Sequence, residues 1–449
     1  MSFFRPQTQV TYRHILSIAL PIIIGHLAVS LLFITDTIFL SRLSELALEA
    51  AGMGGLIYFM LLYPFSAVGI GTQILISRRL GEKNYQEIPV IFKTALVLLV
   101  LIGILMTFII LFFSEYGLQY CFQSHAVVKG IQEFLAYRVY GFTFAILAGL
   151  YRGLFTAIER TSIIMVSTMF SVLLNVALNY VLIFGQFGIS AMGIAGAAAA
   201  SSIADFIGFM ILVSYLPFCK NIKAIRIYSG KLLDITQVRK ILTLSAPIMV
   251  KFFVGIVSFA VAFAFVEKIS ERELAIAQVI RSVYVVFMVP IWGLNAAVNT
   301  LVSNVIGQGK GQEAKQIMHK VLHLSIGITM VTLVGHIFFP EKLLSVFVQD
   351  NSSLIQASLH SLQIMIFVQL SFAIAYIYTG ALEGAGDVKF IMIMEIVLCI
   401  VYILLAYGLV FYAHLGAVTV WIAELCYWIW IWICAEWRMK NTKWINARL

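Results

Sequence analysis

Long apolar runs recur from one end of this chain to the other, and no single water-soluble core can absorb them. A helix that crosses hydrocarbon needs about 20 mostly apolar residues. Six stretches in the first half meet that need: residues 15–39, 50–76, 90–113, 134–157, 163–184 and 193–216. Six more follow in the second: 241–266, 277–303, 320–339, 362–383, 390–411 and 414–436. Of the 449 residues 61% are hydrophobic and 11% are Asp, Glu, Lys or Arg, where a soluble domain is about one-quarter charged. The runs are too long and too uniformly apolar for β-barrel strands, which alternate over about ten residues. Nor is the first run a cleaved signal: it is long, holds Pro21 and Asp36, and precedes eleven others. The expected fold is therefore an all-α integral membrane protein with twelve transmembrane helices and short loops.

Positive charge sets the orientation. With the N-terminus in the cytoplasm, inner segments collect 22 of the 30 Lys and Arg residues, from Arg5 and Arg13 to Lys443 and Arg448. Outer segments and the outer span ends beside them hold 6, namely Arg42, Lys129, Arg138, Lys268, Arg272 and Lys342, while Lys251 and Arg281 are counted as inside spans. Both termini are thus expected in the cytoplasm. The net charge of +9 is spread over short inner loops. It fits contact with anionic membrane lipids and gives no patch for nucleic acid.

The second half repeats the first. ILSIALPIII from Ile15 matches ILTLSAPIMV from Ile241, so that Pro21 falls on Pro247, and SRRLGEKNYQE from Ser77 matches SNVIGQGKGQE from Ser303. Six spans per half give both halves one orientation, related by a pseudo-twofold axis along the membrane normal. The expected division is an N-terminal six-helix bundle over 1–216 and a basic cytoplasmic linker over 217–240. A C-terminal six-helix bundle with a short cytoplasmic tail follows over 241–449. Duplicated twelve-span frames suit transport by alternating access. Pro21 and Pro247 each remove a backbone donor near the start of a bundle and are read as packing kinks or as hinges. GISAMGIAGAAAAS from Gly188 should let the sixth helix pack closely.

Ionisable side chains in hydrocarbon demand a partner or a cavity. Asp36 follows an apolar run and is flanked by Thr35 and Thr37. A carboxyl so placed can exchange a proton or attract a cation, and otherwise serves as a local hydrogen-bonding group. Asn175 and Asn179 share one helical face, as do Ser201 and Asp205, with Tyr180 beside Asn179. The amides either join helices or offer neutral oxygens to an ion. Lys251 follows Pro247 by about one turn and either neutralises a buried acid or, by slight preference, snorkels inward. Glu383 is expected near the cytoplasmic surface, Glu395 and Glu424 in interhelical pairs, and Glu267 at the outer mouth. Trp and Tyr near 421–437 suit an interfacial belt. The five cysteines are scattered, so neither a metal site nor a disulfide framework is expected. His26 and His323 are dispersed, and no HExxH, GxSxG or P-loop pattern supports an enzyme.

Several motifs, in order, resemble the bacterial kind of multidrug and toxic compound extrusion transporter, within the multidrug/oligosaccharidyl-lipid/polysaccharide exporter superfamily. They are TDTIFLSRL with Asp36, QILISRRLGEKN, LNVALNYVLIFGQFGISAMGIAGAAAAS, YRGLFTAIERT and YTGALEGAGDVK. The resemblance implies a multi-pass protein of the bacterial inner membrane that exports amphipathic organic cations by antiport, without a cofactor. It implies ion coupling at Asp36, with the positions of Asn175, Asn179 and Ser201 contributing; Asp205, one turn from Ser201 and a further ion-coupling candidate, is unusual in its helix, as is Lys251. Asn179 stands where the family often has Asp. Val254 and Phe372 stand where another branch has acids, so that a C-terminal cation site of that kind is not expected. Glu383 takes a place the family usually gives to Arg. Thr35, Tyr180, Lys251, Arg281 and Glu395 are the candidates for the substrate cavity. Protons are preferred over sodium as the coupling ion, and a monomer is expected to suffice. The rival is a flippase for a lipid-linked precursor, to which Lys251 and Arg281 give slight encouragement.

Overall fold

The structure, a computed structural model, describes residues 10–122, 124–348, 352–441 and 444–445; Arg5, Lys443 and Arg448 lie outside the described residues. Among the described residues, twelve helices are long and apolar enough to cross a membrane. In the first half they are α1 (Tyr12–Leu43), α2 (Glu45–Gly81), α3 (Glu87–Tyr116), α4 (His125–Ala157), α5 (Ser162–Phe184) and α6 (Gly193–Tyr215). In the second they are α7 (Ile235–Glu267), α8 (Glu271–Gly307), α9 (Ala314–Phe338), α10 (Ser352–Ala385), α11 (Val388–Phe411) and α12 (Val418–Lys440).

Several helices outrun their apolar stretches because capping serines start them earlier. Ser44 accepts from the Ala47 N–H at 3.0 Å and Ser270 from the Glu273 N–H at 3.2 Å, each satisfying a donor that the first helical turn leaves open. The two caps are 226 residues apart, and the helices they start, α2 and α8, both have 37 residues. The duplication read from the sequence thus extends to the turn at which a helix begins.

The chain forms two compact units. The first is Leu20–Met249; the second joins residues 10–19 to residues 250 onward. Both α1 and α7 therefore change unit within two residues of a proline, and each continues as helix through it.

In the first unit α2 and α4 meet at glycines. A Cβ on Gly153 would lie 2.6 Å from the Gly69 carbonyl oxygen, and one on Gly69 would lie 2.8 Å from that of Gly149. Small residues at such crossings let helices pack where lipid supplies no hydrophobic drive. Gly196 on α6 sits equally close to the backbone of α5 at Leu182. In the second unit Gly384 on α10 faces the Asn299 carbonyl of α8. Leu101, Leu105, Phe108 and Phe112 on α3 remain exposed, as a lipid-facing surface should.

The segment before α7 is tied to the first unit. Lys93 Nζ donates to the Gly230 carbonyl at 2.6 Å and the Asp234 N–H donates to Thr94 Oγ1 at 3.2 Å. Asp234 caps α7, accepting from the backbone N–H groups of Gln237 and Thr236, which hold its carboxyl below the usual carboxylate range.

Candidate functional site

In the first unit, three helices bring their polar residues into one hydrogen-bonded row. Asn179 Nδ2 on α5 donates to Asp36 Oδ1 on α1 at 2.6 Å and to Asn175 Oδ1 at 2.7 Å. Asn175 Nδ2 donates in turn to Ser201 Oγ on α6 at 3.0 Å. Both amides are 1% exposed, while Asp36 and Ser201 are half-buried. One helical turn between the two asparagines lets a single face of α5 reach both neighbours. The return from α5 to α6 depends on Gly185, whose φ of 72° ends α5 and where a Cβ would lie 2.5 Å from the Ala191 nitrogen.

Asp205 lies outside that row. Its carboxylate accepts from Arg138 NH1 on α4 at 2.7 Å, and the guanidinium stacks 4.0 Å above the Tyr58 ring of α2. Arg138 is therefore not an outer-segment residue. It lies inside a span, held by a carboxylate and an aromatic face, and within electrostatic reach of Asp36. Arg152, also on α4, acts on both Asp205 and His26. Arg138 and Tyr58 were missing from the sequence-based site. Arg138 falls at the edge of its apolar run, and its partner is 67 residues away. The one available signal was a charge within four residues of a span's start.

The other candidates of this unit point elsewhere. Thr35 donates to the Leu32 carbonyl and Thr37 to the Phe33 carbonyl, both within α1. Tyr180 is 49% exposed and has Phe184 as its ring neighbour.

The second unit holds its own buried charges. Lys251 on α7 is ion-paired with Glu383 on α10, at 7% and 4% exposure. Snorkelling and a surface position are thereby corrected: once removed from water each charge requires the other. Glu395 on α11 accepts from the Tyr427 hydroxyl of α12. Glu424 on α12 accepts from Tyr284 of α8 at 3.0 Å and from Trp428 Nε1 at 2.9 Å. Trp421, Tyr427 and Trp428 thus belong to the bundle interior, whereas Trp430 and Trp437 are exposed. Phe372 is buried 4.8 Å from the Trp428 ring, and Val254 supplies only its carbonyl, to Ser258. Arg281 lies 5.7 Å from the Phe263 ring.

Twelve apolar helices in two repeated units, each with ionisable groups held in its interior, define a multi-pass membrane protein of the transporter class. Two stretches, residues 21–181 and 247–408, match the MatE family model, one copy starting at each proline. The chain belongs to the MatE family. It is 26% identical to the probable multidrug resistance protein NorM of Pasteurella multocida over 388 residues, 86% of this chain and 83% of that protein. To the Bacillus subtilis protein of the same name it is 23% identical over 422 residues, covering 91% of each. A MOP superfamily transporter from Pyrococcus furiosus shares the fold, with a TM-score of 0.88, 16% identity and 97% of both chains covered.

Proposed function

We propose that this chain is a secondary-active multidrug exporter in which Asp36 is the coupling carboxylate. Family membership and the relatives' designation as multidrug resistance proteins support the coarse activity. The observation that carries the finer assignment is the hydrogen bond from Asn179 to Asp36 within the bundle. It holds an ionisable group on a spanning helix at the end of a polar row, where binding one positive species hinders another. Ionised Asp36 gives an organic cation its counter-charge; a proton arriving from outside neutralises the carboxyl and weakens that binding. Pro21 and Pro247 are the bend points for alternating access. Both termini face the cytoplasm.

Protons are the favoured coupling ion. Arg138 and Arg152 stand among Asp36 and Asp205, so the group has no surplus of negative charge to retain a metal ion, whereas a proton needs only one carboxyl oxygen. One observation favours sodium instead: Asn179 Oδ1 is buried without a hydrogen-bond partner and could serve as a neutral ligand.

Proteoliposomes with separately imposed proton and sodium gradients decide between them, using a panel of amphipathic organic cations. A pH gradient alone should drive export by the wild type and not by Asp36→Asn. Drive by sodium alone would select the second ion, and normal pH-driven export by D36N would remove Asp36 from its role.

A further inference from the structure

The charge balance inside the second unit differs from that of the first. Four ionisable side chains meet between α7, α10, α11 and α12: Lys251, Glu383, Glu395 and Glu424, all 8% exposed or less. Lys251 is ion-paired with Glu383. Glu395 feels both members of that pair, and Glu424 feels Glu395. One ammonium thus faces three carboxyls. Neutral groups stand beside them: the phenols of Tyr284, Tyr402 and Tyr427, the indole of Trp428 and the thiol of Cys399, which neighbours Glu395.

We infer that Glu395 and Glu424 form a second proton-binding site, independent of Asp36, that holds a proton within the C-terminal unit and exchanges it with water. A buried carboxylate without a countercharge is less stable than its protonated form. With one ammonium among three carboxyls, ionising all three would leave net negative charge in the interior. Donors favour a charge on either: Tyr427 donates to Glu395, while Tyr284 and Trp428 both donate to Oε1 of Glu424. A charge can therefore rest on one acid while the other carries the proton.

A second feature points to the same occupant. The Tyr402 hydroxyl, on a residue 4% exposed, faces the Glu424 carboxyl. It can donate to the ionised carboxylate or accept from the protonated acid, so it serves both states of a group that changes protonation. The rings of Tyr402 and Tyr427 are 5.7 Å apart, linking the surroundings of Glu424 to those of Glu395. Loading the site takes one proton from water and forms one O–H bond.

The test is infrared titration of the full-length protein in lipid, following the carboxylic-acid carbonyl band. It is run in the D36N background, so that failure of the Asp36 assignment leaves the outcome unaffected. A band that rises and falls with pH should persist in D36N and disappear in D36N with Glu395→Gln and Glu424→Gln. Should that triple variant not fold, Tyr402→Phe in D36N removes one hydroxyl without altering charge and should shift the pH at which the band is half-developed. Absence of a titrating band in D36N would overturn the inference. So would a band untouched by the two glutamine substitutions or, where those do not fold, by Tyr402→Phe.

Discussion

Arg138 shows how a single side chain changes the account of its bundle. It neutralises Asp205, lies on Tyr58 and stands within reach of Asp36, so a cation is already built into the polar interior. Replacing it by Gln strands the Asp205 charge. Loss of one partner of a fully buried pair costs about 3–5 kcal/mol; with side chains 15% and 31% exposed, roughly 2 kcal/mol is expected here. Thermal melting should therefore fall in R138Q and recover in part when Asp205→Asn is added. Additive losses in the double variant would show that the two residues act separately. Residues at this scale were legible where helical periodicity joins them. Asn175 and Asn179 stand four apart amid apolar residues, and Asp36 interrupts an otherwise uninterrupted run. Lys251 and Glu383 were misplaced because 132 residues separate them, and an apolar span carries no mark of which neighbour its charge will meet.

At the scale of elements, hydropathy located the spans but not their ends. Helix ends beyond the hydrocarbon are polar, so α2 and α8 begin at the capping serines rather than where the apolar run starts. Close helix approach leaves a different signature, glycine opposite glycine, as at Gly69 and Gly153. Gly153→Val would drive its Cβ against a backbone carbonyl that has no rotamer to change, and α2 and α4 must separate. A loss of about 2 kcal/mol is expected, seen as a lower melting temperature in detergent. An unchanged melt would mean that the crossing is looser than the geometry indicates. Aromatic residues were the least legible. Trp421 and Trp428 read as belt residues from composition alone, yet both are enclosed, since an indole suits an interface and a bundle interior equally.

For the whole molecule, the duplication was legible because two copies of one plan keep their spacing, from Pro21 and Pro247 to Ser44 and Ser270. The chemistry of the two copies has diverged. In the first unit Arg138 is ion-paired with Asp205, with Asp36 and Arg152 in electrostatic reach; the second sets three acids around one lysine. On our proposals, substrate exchange belongs to Asp36, while Glu395 and Glu424 hold a separate proton. The most direct measurement of the central claim is proton release on substrate binding, recorded with a pH indicator in weakly buffered, purified protein. Binding of an organic cation should displace about one proton fewer in D36N than in the wild type. Equal release from both proteins would contradict the claim that proton and substrate compete at Asp36.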